Sequence, residues 1–220
     1  MLERASARET ATRVALGEVA KSFLRSVADI DVLSHVVRIG SVAVDDIDLD
    51  GLRNDLLDAD PVRCANPAVS AEMVAEIDAA HKDGDTLGGI VEVVVRGVPV
   101  GLGSHVHWDR RLDSRLAAAL MGIQAVKGVE VGGAAEGAEA YGSKVQDSIH
   151  YDREAHTFTR GANRAGGLEG GITNGQDIIV RGLLKPISTL RRPLESVDLD
   201  TREAALAAYE RSDVCVVPAA

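Results

Sequence analysis

Aromatic residues are scarce in this chain: 3% of 220 positions, with one Trp, three Tyr and two Phe. A core must therefore be built from Val, Leu, Ile and Ala, and ring platforms for stacking single-stranded nucleic acid are not expected. Basic residues are also in deficit, 24 against 34 acids for a net charge of −10, so a broad basic face for nucleic acid is not expected either. Only two cysteines occur, Cys64 and Cys215, far apart and in no CxxC, which favours reduced cytosolic thiols over a disulfide. No apolar run reaches membrane-spanning length, and the opening MLERASARET has no signal-peptide pattern. The expectation is a soluble, cytoplasmic protein with no membrane partner. No GxGxxG follows a strand pattern and no Walker glycines precede a lysine, so neither a Rossmann dinucleotide site nor a P-loop is expected.

What is present is an ordinary globular balance, 45% hydrophobic and 26% charged, in a length that suits one large domain or two small ones. Ser6 and Glu9 have capping-box spacing, and Val14, Val19, Phe23 and Val27 recur at helical intervals, predicting a first helix with a buried stripe. Residues 31–44 read as a strand broken at Gly40, and 88–103 as a strand opened by glycines. The acidic, turn-rich stretch between 45 and 67 reads as surface. Helices are predicted at 70–85, led by Ser70, at 109–128, closed by Lys127 and Gly128, and at 201–213. Short strands are predicted at VEV (129–131) and DIIVRGLL (177–184). Helices and strands alternate without repeats or a long linker, so the fold class is α/β or α+β, mixed sheets with covering helices.

Several stretches carry groups with chemistry. Residues 161–176 hold six of the twenty-two glycines, which suits either a wide turn or a loop that wraps a ligand closely. His105, His107 and Asp109 alternate, which on a strand would put all three on one face in a metal-like pattern. No second His/Cys cluster completes a shell, and a strand end leading into a helix cap at Asp109 is the plainer reading. Arg110, Arg111 and Arg115 offer either salt bridges with Asp113 or an anion grip. In LLKPISTLRR, Lys185, Pro186, Ile187, Ser188 and Thr189, followed by Arg191 and Arg192, combine cations, a turn and hydroxyls, as a phosphate seat would. Arg211, Ser212 and Asp213 sit side by side, where a neighbouring cation would keep Asp213 ionised and available as a base.

Taken together, ASARETATRVALG (5–17), GVPVGLGSHVHWDRRLDSRLAAALMGIQAVKGVEVG (97–132), NRAGGLEGGITNGQ (163–176), LLKPISTL (183–190) and RSDVCVVPAA (211–220) resemble chorismate synthases, in order and spacing along the whole chain. The resemblance implies a β-α-β sandwich and a homotetramer. It implies a lyase of the shikimate pathway to aromatic amino acids: an anti 1,4-elimination of phosphate from 5-enolpyruvylshikimate 3-phosphate that gives chorismate. Reduced FMN is the cofactor it implies, with NADPH as a source of reduced flavin in bifunctional members. By motif match the flavin contacts would be Arg4, Ala5, Ser6, Gln124, Ala125, Gly170, Lys185, Pro186, Ile187, Ser188, Thr189 and Arg211. Asp213 matches the family's acidic residue implicated in proton movement.

The resemblance has departures. The family's Gly-(Asp/Glu)-Ser-His-Gly and Pro-Gly-His-Ala-Asp segments, each with a catalytic histidine, have no match, and the residues used for NADPH would lie upstream with them. None of the six histidines (35, 81, 105, 107, 150, 156) falls in either motif. The expectation is a single chorismate-synthase-like domain over 1–220, truncated at both ends and inactive by itself. The alternatives are a non-catalytic FMN- or anion-binding remnant and an interaction module.

Overall fold

The computed structural model describes residues 9–45, 47–209 and 213–220. Its elements are helices α1 (Thr10–Ala28), α2 (Asn54–Ala59), α3 (Pro67–Asp83), α4 (Leu112–Met121), α5 (Ala134–Ala138) and α6 (Gly142–Val145). The longer strands are β1 (Asp31–Ile39), β3 (Gly89–Arg96), β4 (Val126–Val131) and β9 (Ile178–Leu184). Short strands are β2 (Val42–Ala43), β5 (Ile149–Asp152), β6 (Thr157–Arg160), β7 (Leu168–Glu169), β8 (Ile172–Thr173), β10 (Glu195–Val197) and β11 (Ala204–Leu206).

One five-stranded sheet has the order β2-β1-β3-β9-β4, and three two-stranded hairpins pair β5 with β6, β7 with β8 and β10 with β11. The sheet neighbours run antiparallel. Gly40 at the end of β1 donates its N–H to the Gly88 carbonyl just before β3, and Gly132 after β4 donates to Ile179 at the start of β9. Alternation decides the buried face of β9: Ile178, Val180, Gly182 and Leu184 are buried between less buried neighbours.

The chain divides into two compact units. The first takes residues 1–34 and 92–182. Its core gathers Ile30, Val98, Leu168, Ile178 and Val180, with Leu24, Leu112, Leu116 and Leu120 packed against them. A hydrogen-bonded ion pair lies in the same unit: Arg181 Nε donates to Glu92 Oε2 at 2.7 Å, and the Arg181 guanidinium reaches Glu130 at 3.6 Å. The Glu92 side chain is only 2% exposed. The second unit takes residues 35–91 and 183–220. Its buried residues include Val36, Ile39, Leu52, Leu57, Val62, Met73, Leu184 and Val217.

The sheet strands fall where the sequence places them, except that the strand read over 88–103 stops at Arg96, and five further features correct the reading. The α1 stripe is not buried: Val14, Val19, Phe23 and Val27 are 60–70% exposed, and the helix turns Leu24 toward the core instead. Helix α3 begins earlier, at Pro67, because Asn66 caps it by accepting from the N–H groups of Ala68 and Val69, while Ser70 is buried inside it. The helix read over 109–128 is only Leu112–Met121; its tail turns at Gly122 and becomes β4, and 104–111 is turns rather than strand. The acidic stretch from 45 supplies core residues Leu52, Leu57, Val62 and Cys64.

In place of the helix read over 201–213, residues 204–206 form strand β11, paired antiparallel with β10 through Val197 and Ala204, and residues 210–212 lie outside the described residues. Its cause is local. Asp198 accepts the N–H groups of Asp200 and Thr201 at 2.9 and 2.8 Å, and that turn closes a hairpin instead of starting a helix. The proposed cap at Ser6 lies outside the described residues.

Candidate functional site

In the second unit, three consecutive residues before β3 organise the positions singled out in the sequence. The Thr86 hydroxyl, on a buried residue, donates to the Ile187 carbonyl at 2.7 Å. Leu87 N–H donates to the Val214 carbonyl at 2.9 Å, and Leu87 bridges Cys215 in parallel register. Gly88 lies so close under the next chain that a Cβ there would collide with the Leu184 carbonyl oxygen and stand 3.1 Å from Pro186 Cδ. The Lys185–Thr189 run and the segment that starts at Asp213 are thus both tied to residues 86–88. Neither Thr86 nor Gly88 stood out in the sequence, although a Thr-Leu-Gly-Gly run before a strand is the kind of close-packing signal that points there.

Along that run, the Lys185 ammonium is exposed and, among the described residues, donates only to the Pro186 carbonyl, at 3.3 Å. Ser188 is exposed, and its hydroxyl has no partner among the described residues. Pro186 is exposed, Ile187 and Thr189 are half-buried, and Asp213 is exposed. This arrangement offers a cation, a hydroxyl donor and a carboxylate to a ligand. Cys215 follows close by and is a free thiol, as is Cys64; burial pushes both thiols up.

In the first unit the glycine-rich loop is pinned by its own polar groups. Asn163 Nδ2 donates to the Asp177 carbonyl, and Asn163 Oδ1 accepts from Gly167 N–H, each at 2.8 Å. Asp147 accepts from the N–H groups of Arg164 and Ala165. Thr173, 1% exposed, donates to the Pro99 carbonyl at 2.6 Å and accepts from Leu102 N–H at 2.9 Å, stapling the loop to residues 99–102.

The glycines mostly serve approach to protein. A Cβ at Gly167 would stand 2.5 Å from the Asp177 carbonyl oxygen, and one at Gly171 would meet Arg111 Cγ at 2.6 Å. Gly170 differs: its φ is +61° and nothing lies within 4 Å of its Cβ direction. Gly170 and Gly171, both with positive φ, form the two-residue turn between β7 and β8, as a type I′ hairpin requires. Also in this unit, Gln124 donates from Nε2 to the Glu9 carboxylate, and Ala125 takes φ +70° in the turn that leads from α4 to β4.

Arg4, Ala5, Ser6 and Arg211 lie outside the described residues. His105, His107 and Asp109 are exposed on turns, and among the described residues no group of three His, Cys, Asp or Glu could hold a metal ion. Arg111 answers the salt-bridge reading. Its Nε donates to Asp113 at 3.0 Å, and that guanidinium holds the Asp113 carboxyl below its usual range. A separate cavity of about 690 Å³ in the second unit, lined by Val44, Leu52, Leu56, Leu57 and Cys64 among others, contains none of the predicted positions.

Among the described residues no helix is long and apolar enough to cross a membrane. A sequence model of the family described as chorismate synthase matches residues 1–220. A chorismate synthase of Solibacter usitatus (strain Ellin6076) is 63% identical over 226 residues, covering 100% of this chain and 57% of that protein. One from Acidothermus cellulolyticus is 59% identical over 221 residues, covering 100% and 56%. A crystal structure of chorismate synthase superposes with a TM-score of 0.77 at 44% identity, over 84% of this chain and 57% of that one. The chain thus spans a little over half the length of the curated relatives it matches.

Proposed function

Because the chain belongs to the chorismate synthase family, we propose that it serves the elimination of phosphate from 5-enolpyruvylshikimate 3-phosphate to give chorismate, with reduced FMN as cofactor. The observation that carries this reading is the match along all 220 residues, at 63% identity to one such enzyme. Cytoplasmic location, assembly as a homotetramer and NADPH as a source of reduced flavin belong to the same proposal.

The residues present suit a phosphorylated flavin and a phosphorylated substrate. Lys185 and Ser188 expose a cation and a hydroxyl donor on one short run, and charge-assisted hydrogen bonds of that kind are the strong ones for phosphate. Gly170 opens onto free space where a side chain elsewhere in the loop would collide. Gln124, Ala125, Pro186, Ile187 and Thr189 are assigned to flavin contact with them, as are Arg4, Ala5, Ser6 and Arg211. Reduced flavin held by these residues would lend electron density during the elimination and recover it, for no net redox change. Within this chain, the exposed Asp213 carboxylate takes or relays the proton that the substrate loses.

Anaerobic phosphate release from 5-enolpyruvylshikimate 3-phosphate, with reduced FMN and the purified protein, tests the reading. Release above a no-protein control supports it and overturns the expectation that the chain is inactive by itself. Absence of release together with absence of FMN binding overturns it, while FMN binding without release favours a non-catalytic flavin-binding role. In an active preparation Asp213→Asn lowers kcat by about 10²-fold or more, as loss of a proton-transfer group does. Lys185→Ala instead raises the FMN dissociation constant.

A further inference from the structure

A second cluster of basic groups begins two residues beyond the run assigned to flavin and draws in the end of α3. In the second unit a shallow concavity of about 640 Å³ is lined by His81, Lys82, Asp83, Gly84, Arg191, Arg192 and Pro193. His81 and Lys82 occupy the last turn of α3, where basic residues complement the helix dipole. That explanation does not extend to Arg191 and Arg192, which arrive from more than a hundred residues away. Nor are the basic groups needed to cap the helix: Asp85 N–H already donates to the Ala80 carbonyl at 2.9 Å, and Gly84 N–H to the His81 carbonyl at 3.3 Å.

The backbone holds the arginines in place. Arg192 N–H donates to the Gly84 carbonyl at 3.1 Å. Gly84 has φ +73°, and a Cβ there would stand 3.3 Å from Arg192 N and 3.4 Å from Arg191 Cβ, so the two segments cross in close contact. On this frame the Arg191 guanidinium lies 3.0 Å from His81 Nε2. A guanidinium only donates, so that ring nitrogen accepts and the ring proton sits on Nδ1. Among the described residues no carboxylate forms an ion pair with Lys82, Arg191 or Arg192. Lys82, Arg191 and Arg192 line this concavity beside a single acid, Asp83, in a chain whose net charge is −10.

We propose that this concavity binds a small multiply charged oxyanion, a phosphorylated or polycarboxylate metabolite, held by Arg191, Arg192 and Lys82 with His81 at its edge. Guanidinium forks match the two oxygens of a carboxylate or phosphate, and an anion there satisfies donors that the protein leaves unused. Binding draws the Arg191 donors from His81 to the ligand, so the imidazole reports occupancy directly.

The test is a titration of the protein with pyrophosphate and, separately, citrate, followed by long-range proton–nitrogen correlation of the histidine rings. The expected result is a saturable shift of His81 Nε2 with at least one of the two, the pair distinguishing phosphoryl from carboxylate ligands. Affinity should fall by roughly tenfold in Arg191→Gln/Arg192→Gln, the loss expected for charge-assisted bonds, and should weaken as salt is raised. Lys82→Gln, on an exposed helix position, should weaken binding to a smaller degree. No saturable shift at His81 with either anion overturns the proposal. So does a shift that persists undiminished in the double variant, or one confined to residues 185–189, which would place the anion in the flavin run instead.

Discussion

At the scale of single residues, the glycines separate into those that meet protein and those that meet space. Gly88 has no unusual φ, so Gly88→Ala acts through collision with the Leu184 carbonyl oxygen and crowding of Lys185 and Pro186. Overpacking of this kind costs about 1–3 kcal/mol, and denaturant unfolding should register it. Gly170→Ala meets no atom, and its cost is the left-handed conformation, about 1–2 kcal/mol. Gly170→Asn should recover most of that loss, because asparagine tolerates positive φ in a type I′ turn. Gly171→Asn should not, since its Cβ would press on Arg111 Cγ. An equal loss in both asparagine variants would show that the open space at Gly170 is not real. The concentration of glycine in this loop was legible in the sequence; which glycine opens outward was not. That depends on what the loop meets 34 and 60 residues away: Gly166 lies against Gly132, and Gly171 against Arg111.

At the scale of elements, alternation and punctuation served well where the sheet decides the structure. Residues 31–39, 89–96 and 178–184 are strands, and Gly40 ends β1 with positive φ as a reading of the sequence expects, whereas Gly97, φ +73°, ends β3 six residues short of the 103 read for it. Composition misled where pairing overrides propensity. Residues 204–209 are rich in helix formers, yet Asp198 spends its carboxylate on the turn that lets β11 return against β10. A pH dependence follows. The Thr201 and Asp200 N–H groups hold the Asp198 carboxyl below its usual value. Its support for the hairpin is therefore complete above the ordinary carboxyl range, near pH 4, and is lost as pH falls through the lower folded value. Amide exchange across residues 195–206 should accelerate on acidification, and in Asp198→Ala should already be fast at neutral pH. At α3 the unnoticed cap makes a parallel expectation: Asn66→Ala lowers stability by about 1 kcal/mol, whereas Ser70→Ala leaves the cap intact.

At the scale of the whole molecule, the sequence exposes a family pattern more readily than it exposes an interior. The apolar period of α1 says only that one face differs from the other; it does not say that the face is covered, and Val19 and Phe23 stand 70% and 63% exposed. The interior likewise holds a charge that no motif announces. Glu92 is enclosed between hydrophobic neighbours on β3, where a strand pattern reads it as an interruption, and Arg181 answers it from β9. Burial would lower the Arg181 guanidinium, but the Glu92 hydrogen bond and charge, with Glu130, reverse the sign and hold it above its usual value. Desolvated pairs of this type add little net stability, yet removing one partner strands the other. Arg181→Met should therefore destabilise the fold by about 3–5 kcal/mol, leaving Glu92 without its cation. Adding Glu92→Leu to that variant should restore much of the loss, because an apolar pair of similar size needs no solvation. The four unfolding free energies of this double-mutant cycle measure the coupling directly. If the double variant is as unstable as the sum of the two single losses, the pair contributes independent contacts and the buried-charge account of Glu92 is wrong.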